Sequence, residues 1–257
     1  MDRVREPLPT RVQDTPELPP GYGAALEAGL AAIGVDLHGA GRAAIDGHIR
    51  LLLAWTVAIN LTAIRDPAAA ATLHVVDSLA AIPVLRGLGV DRFLDLGSGG
   101  GLPGIPLAAA LPATRALLVD PIGKKARFLA TALEATGLAG AVRVMATRGE
   151  TLAHDPIQRG RWPAVTARAV ASTAELVELA FPLLTVGGRL VAWKRGDLAG
   201  ELPAARTAMA ALGGGTVEII EVGAPGLTGH RLVVATRTGR VPAAFPRDPA
   251  VRRRHPW

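Results

Sequence analysis

Apolar residues recur at helical spacing from Tyr22 to Ile33 and again from Arg42 to Ile59, where Ile45, Ile49, Leu52, Leu53 and Val57 repeat with the helix turn. A third helix is predicted over Ala68–Leu85, opened by Asp66 as N-cap and Pro67 in the first turn. From Arg92 onward the pattern changes. Short apolar runs predict strands at Phe93–Leu96, Ala116–Val119, Val142–Met145, Val165–Ala167, Leu190–Trp193, Val217–Val222 and Leu232–Thr236. Between them, helices are predicted over Ile105–Leu111, Lys124–Thr136, Ala174–Leu184 and Glu201–Leu212. Strands alternating with helices imply a parallel sheet covered on both faces. Only a loop, Gly223 to His230, joins the last two strands. That is too short for a helical crossover, so this pair is expected to be antiparallel. The chain thus reads as α/β, with a seven-stranded, mostly parallel sheet ending in an antiparallel hairpin.

The same pattern divides the chain. Residues 1–20 are rich in proline and charge without apolar period and are expected to be disordered or loosely draped. Residues 21–86 read as a small helical extension, 87–238 as the main domain and 239–257 as a basic tail. Hydrophobic residues make up 49%, but many are alanines, so the positive mean hydropathy points to Ala-rich helices. No membrane-spanning run of about 18 apolar residues is expected, and the start lacks the apolar core of a leader. Without cysteine there is no disulfide and no thiolate metal site. No metal and no membrane are expected, and the reading is a cytoplasmic monomer. The formal charge of +6 rests on 25 arginines and three lysines, Lys124, Lys125 and Lys194, and makes a polyanionic partner plausible. Seven arginines lie from Arg231 onward against one acid, Asp248.

The richest segment is Phe93-Leu94-Asp95-Leu96-Gly97-Ser98-Gly99-Gly100-Gly101-Leu102-Pro103-Gly104, between a predicted strand and a predicted helix. Glycines let the backbone turn sharply and approach a ligand, with helix-terminal N–H groups facing it. Gly99, Gly101 and Gly104 also satisfy the dinucleotide fingerprint of a dehydrogenase. Two features favour S-adenosylmethionine instead. Asp95, two residues before Gly97, suits a cationic amino group better than a pyrophosphate, and Pro103 stands where a dinucleotide site needs close strand–helix packing. Asp120, at the end of the second strand, can accept from ribose hydroxyls, or it can simply cap the loop before Gly123-Lys124-Lys125. Gly149 and Glu150 follow the third strand, where adenine would lie, although Glu150 could be only an N-terminal helix charge. The fold expected is therefore Rossmann-like, of the class I S-adenosylmethionine-dependent methyltransferases, with S-adenosylhomocysteine as product.

Missing residues narrow the chemistry. Pyrimidine C5 methylation needs a cysteine nucleophile, and none is present. Exocyclic-amine methylases of adenine carry an Asn/Asp-Pro-Pro-Tyr/Phe loop after the fourth strand; here that place reads Thr166-Ala167-Arg168-Ala169-Val170. An in-plane lone pair such as guanine N7 needs neither device. A cationic Arg168 would then have to point away from the product ring.

With these residues in view, the chain resembles the bacterial small-subunit ribosomal RNA guanine-N7 methyltransferases, the RsmG or GidB family. The resemblance is carried by Asn60-Leu61-Thr62, His74-x-x-Asp77-Ser78, the glycine loop through Pro106, Asp120 with Gly123-Lys124-Lys125, Thr166-Ala167-Arg168-Ala169 and Gly187-Gly188-Arg189-Leu190. It covers about residues 42–237. It implies methylation of one guanine at N7 in helix eighteen of the decoding region of 16S rRNA, on naked RNA or on a precursor of the small subunit. By motif position Gly97, Leu102, Gly149, Glu150 and Arg168 would contact the cofactor, with Asp95, Gly99, Gly101 and Asp120 beside them. It also puts His74 and Asp77 near the catalytic cleft, where they are the candidate catalytic pair; a helix-packing role is the alternative. Lys124, Lys125, Lys194 and Arg195 are RNA-binding candidates, since strand carboxyl ends form the rim. Trp193 is a candidate stacking platform or a core residue. Trp162-Pro163-Ala164 and Pro121 depart from the family pattern, which has Phe-Asp and serine there. A methyltransferase acting on a small molecule or protein is the alternative function, and a non-catalytic binding module a third.

Overall fold

A computed structural model describes residues 7–257. After a 3-10 turn at Val12–Asp14 come helices α1 (Pro20–Ile33) and α2 (Gly39–Ile59), on whose inward faces Leu26, Ile45, Ile49 and Leu52 are fully buried. The predicted third helix is a composite of α3 (Pro67–Ala70), a π-helical turn over Ala71–Val76, α4 (Asp77–Leu79) and α5 (Ile82–Gly87). Asp66 caps it as expected, accepting from the Ala69 amide at 2.7 Å. By length and composition the run Pro67–Gly87 could cross a membrane, contrary to the sequence expectation that no such run exists. In the fold it is an internal element, most of it buried, and it carries the buried His74 and Asp77.

The sheet follows: β1 (Arg92–Leu96), α6 (Gly104–Ala110), β2 (Arg115–Val119), α7 (Gly123–Ala135), β3 (Val142–Met145), α8 (Gly149–His154), β4 (Trp162–Arg168), α9 (Thr173–Ala180), β5 (Leu184–Arg195), α10 (Leu202–Ala211), β6 (Gly215–Glu221), β7 (His230–Arg237) and α11 (Pro249–Arg254). Strand order is β3-β2-β1-β4-β5-β7-β6. The first five strands pair in parallel, and β7 lies antiparallel to both β5 and β6. This is the seven-stranded, Rossmann-like α/β architecture of class I methyltransferases, with the expected final hairpin.

Strand residues alternate between two cores, as the period of two requires. Phe93, Leu118 and Val191 pack with α1, α2, α6 and α7 on one face. Leu94, Val119, Val165 and Leu190 pack with α8, α9 and α10 on the other. The helical extension therefore shares a core with the sheet. Other segments also differ from the sequence expectation. Residues 7–19 lie against α2: Trp55 Nε1 donates to the Pro9 carbonyl at 2.7 Å and Arg50 bonds Thr15, so this stretch is neither disordered nor loosely draped. Residues 1–6 fall outside the described residues. α9 stops at Ala180 because Pro182 cannot continue it, and β5 starts six residues early at Leu184. The basic tail carries α11, capped by Asp248.

Candidate active site

The glycine loop leaves β1 with Gly97, Gly99 and Gly101 at φ of +70°, +55° and +83°. At Gly97 a Cβ would stand 2.7 Å from Val170, and at Gly101 it would stand 2.5 Å from Ile105, so side chains are excluded on space as well as on φ. Two groups hold the loop. Asp120 accepts from the Gly99 amide at 3.0 Å with one carboxylate oxygen and from the Ile122 amide at 2.9 Å with the other. His48, on α2, donates through Nε2 to the Gly100 carbonyl at 2.8 Å. Burial lowers His48 to about 4, against that hydrogen bond, so the ring is neutral. Nothing in the sequence pattern singles out His48.

Asp95 is the fourth residue of β1. It is fully buried, with Oδ1 accepting from Thr166 Oγ1 at 2.6 Å and Oδ2 unpartnered. A Cβ on Gly104 would lie 2.7 Å from that Oδ2. Period-two alternation turns Leu94 and Leu96 toward α9 and sends Asp95 beneath α6. Burial pushes its carboxyl up to about 6, against the hydrogen bonds from Thr166 and Ser98.

Two cavities open around the carboxyl ends of the strands. The smaller, about 170 Å³, lies against the glycine loop and takes in Gly97, Gly149, Glu150, Val170, Ala171 and Arg252. The larger, about 450 Å³, takes in His74, Asp77, Arg168, Trp193, Lys194, Arg195 and His230, beside Ile64 and Leu73. Ala171 belongs to both. Of the predicted cofactor residues, only Gly97, Gly149 and Glu150 line the smaller cavity. Gly99, Gly101, Leu102, Asp95 and Asp120 line neither.

Asp77 organises the larger cavity. Its Oδ2 meets Arg168 Nη1 at 3.1 Å, its Oδ1 accepts from His230 Nδ1 at 2.9 Å, and its backbone carbonyl accepts from Trp193 Nε1 at 2.7 Å. Arg168 also donates to the Leu73 carbonyl at 3.2 Å. It is thus tied to the π-turn helix and lines the larger cavity. Its burial lowers the guanidinium and Asp77 opposes the fall. His74 Nε2 is hydrogen-bonded to Thr62 Oγ1 at 2.8 Å, and burial, reinforced by Arg168, drives it down to about 3. Ala169, beside Arg168, has a φ of +56°, a conformation that non-glycine residues adopt at a cost. His230 falls outside the predicted strand, which begins at Leu232; the register Arg195↔His230 brings it to the rim.

The basic candidates separate. Arg195 is exposed at the mouth of the larger cavity. Lys194 is turned inward: Nζ donates to the Ala171 carbonyl at 2.9 Å and to Glu201 Oε2 at 2.7 Å, so it is spent on a structural pair. Despite burial, the bonds from Lys194 and Thr173 hold Glu201 down at about 2. Lys125 Nζ approaches the glycine loop, 4.0 Å from where a Gly99 Cβ would sit; Lys124 opens the same helix and lines neither cavity. Trp193 is a core residue, 6% exposed, whose ring nonetheless forms cavity wall.

A solved structure of the citrinin polyketide synthase CMeT domain shares this fold, with a TM-score of 0.52 at 12% identity over 75% of this chain and 57% of that one. Among curated sequences, the ribosomal RNA small subunit methyltransferase G of Dehalococcoides mccartyi (strain CBDB1) is 38% identical over 221 residues, covering 85% of this chain and 93% of the relative. The protein of the same name from Stenotrophomonas maltophilia (strain K279a) is 40% identical over 222 residues, 86% and 97% of the two chains. A family model described as rRNA small subunit methyltransferase G matches residues 42–228, a span that includes the glycine loop, the π-turn helix and the Asp77–Arg168 pair. The chain belongs to the rRNA small subunit methyltransferase G family.

Proposed function

We propose that the protein transfers the methyl group of S-adenosylmethionine to N7 of one guanine in helix eighteen of 16S rRNA, in the naked RNA or in a precursor of the small subunit. The observation that carries this reading is the pair of cavities meeting at Ala171, one against a glycine loop and one walled by Trp193, Arg168 and His74. The chain fits the cofactor on its own chemistry. Gly97 and Gly149 leave cradles that a Cβ would fill, at 2.7 Å from Val170 and 2.9 Å from Leu96. Glu150 offers a carboxylate to adenosyl N–H or hydroxyl donors. When bound, S-adenosylmethionine supplies an electrophilic methyl group.

The remaining work is positioning. Guanine N7 carries an in-plane lone pair and no proton, so no base is required. His74, neutral through burial, neither adds charge nor needs to move a proton. Asp77 neutralises Arg168, so the methylated, cationic ring is not repelled by an unpaired guanidinium. Ile64 and Leu73 help exclude water, and holding the reactants in line can supply roughly 7–11 kcal/mol of the barrier. The buried N7 edge of an A-form helix is out of reach, so the target base must be splayed out.

The test incubates the protein with labelled S-adenosylmethionine and small-subunit particles from a strain lacking it, then maps N7-methylguanine by borohydride–aniline cleavage. Cleavage at a single guanine of helix eighteen is expected. Methyl incorporation at another RNA atom, or into protein or small molecules only, would overturn the substrate assignment.

A further inference from the structure

The Arg-rich C-terminus is outside the family match, which ends at residue 228. It is not a free tail. After β7 the chain turns back over α8 and α9, where Arg159 donates to the Pro242 carbonyl at 2.9 Å and the Phe245 carbonyl at 2.8 Å, and His154 Nε2 to the Pro246 carbonyl at 2.9 Å. The anchor is Glu178, fully buried on α9. Its two oxygens accept from the Arg247 amide, Nε and Nη2 at 2.7, 2.9 and 2.7 Å, and from Trp257 Nε1 at 2.6 Å. The Arg247 guanidinium stacks on the Trp257 ring, 4.3 Å from its centroid.

This clamp delivers α11 to the glycine-loop cavity. Arg252, 9% exposed, lines that cavity with Gly97 and Gly149, and its Nη2 donates to Glu150 Oε1. Its Nε and Nη1 are buried without a hydrogen-bond partner, Nε making only a long ion pair with Glu175 at 3.6 Å. Buried donors without acceptors are costly and rare in native proteins. An adenosyl group carries several acceptor nitrogens.

We infer that the C-terminal segment is a working wall of the cofactor site, in which Arg252 fixes the Glu150 carboxylate and supplies N–H donors to the adenosyl group of the methyl donor. The inference rests on the S-adenosylmethionine reading above. It turns residues 239–257 from a solvated basic extension into a strap that completes the pocket. Arg252 is a positioning residue through Glu150 and a binding residue in its own right.

Calorimetric titration of the full chain with S-adenosylhomocysteine tests it. Arg252→Ala should weaken binding about tenfold, Arg252→Lys should recover part of that loss, and Arg254→Ala, on the exposed side, should leave it unchanged. Thermal melts of the Arg252→Ala variant separate a binding role from a folding one: the unliganded melting temperature should fall with loss of the Glu150 pair, and the rise gained on adding ligand should shrink as well, which a purely structural role would leave at the parent's size. Unchanged or tighter binding by Arg252→Ala would overturn the inference. Absence of S-adenosylhomocysteine binding by the parent chain would instead overturn the cofactor reading.

Discussion

Asp77 satisfies three partners at once, and its loss is not a local matter. Its carboxylate is the only acidic group within ion-pair distance of Arg168 among the described residues, and both are largely removed from water. Deleting one member of a buried pair leaves the other charge uncompensated, a cost of about 3–5 kcal/mol. Asp77→Ala should therefore lose that much stability in urea unfolding, and Asp77→Asn, which keeps an acceptor for the His230 N–H, should lose less. A cost below about 1 kcal/mol for the alanine variant would mean that Arg168 finds another partner or reaches water. The same residue shows where sequence reasoning stops. His74-x-x-Asp77 stands out as a pair, yet its meaning lies in partners 91 and 153 residues away along the chain. Asp95 stands out equally, and strand alternation carries it beneath the loop instead of into the cavity.

At the scale of elements, what is legible in the sequence is whatever periodicity controls. Strands and amphipathic helices repeat a face, so the sheet and its closing hairpin follow from spacing and loop length. Elements held by specific side chains do not follow. α8 and α11 have six residues each, too few to display a period, and α11 is set by the Asp248 cap and by Glu178 of another helix. The π-turn over Ala71–Val76 is equally invisible, since only a local hydrogen-bond shift distinguishes it from the helix around it. The docking of the last segment gives a direct prediction. Glu178→Gln removes the charge that gathers Arg247 and Trp257 and should cost about 3 kcal/mol. Limited trypsin digestion should then cut at Arg247 and Arg252–Arg254 while the sheet domain survives. A tail as resistant as the parent's would assign the anchoring to the Phe245 and Arg159 contacts alone.

For the whole molecule, the buried titratable groups set how stability changes with pH. A histidine in water titrates at 6.5, whereas His48 and His74 do so at about 4 and about 3 in the fold, because burial disfavours their charged forms. Unfolding therefore takes up protons at both as the pH drops below 6.5, and their contribution, complete above that value, is lost on acidification toward 4 and 3. Asp95 acts in the opposite sense. Its folded value of about 6 lies above 3.8, so its contribution is complete below 3.8 and fades as the pH rises through 6. Between pH 6 and 4 the unfolded chain gains protons on two histidines and releases one from a single acid, and the balance destabilises the fold as acid is added. Urea midpoints should accordingly fall from pH 7 to pH 5. Asp95→Asn, which removes the compensating acid but keeps an acceptor for Thr166, should steepen that fall, and His48→Asn should flatten it. If Asp95→Asn flattened the profile instead, the Asp95 carboxyl would titrate in the fold below 3.8 and not above it, and burial would not be what governs it.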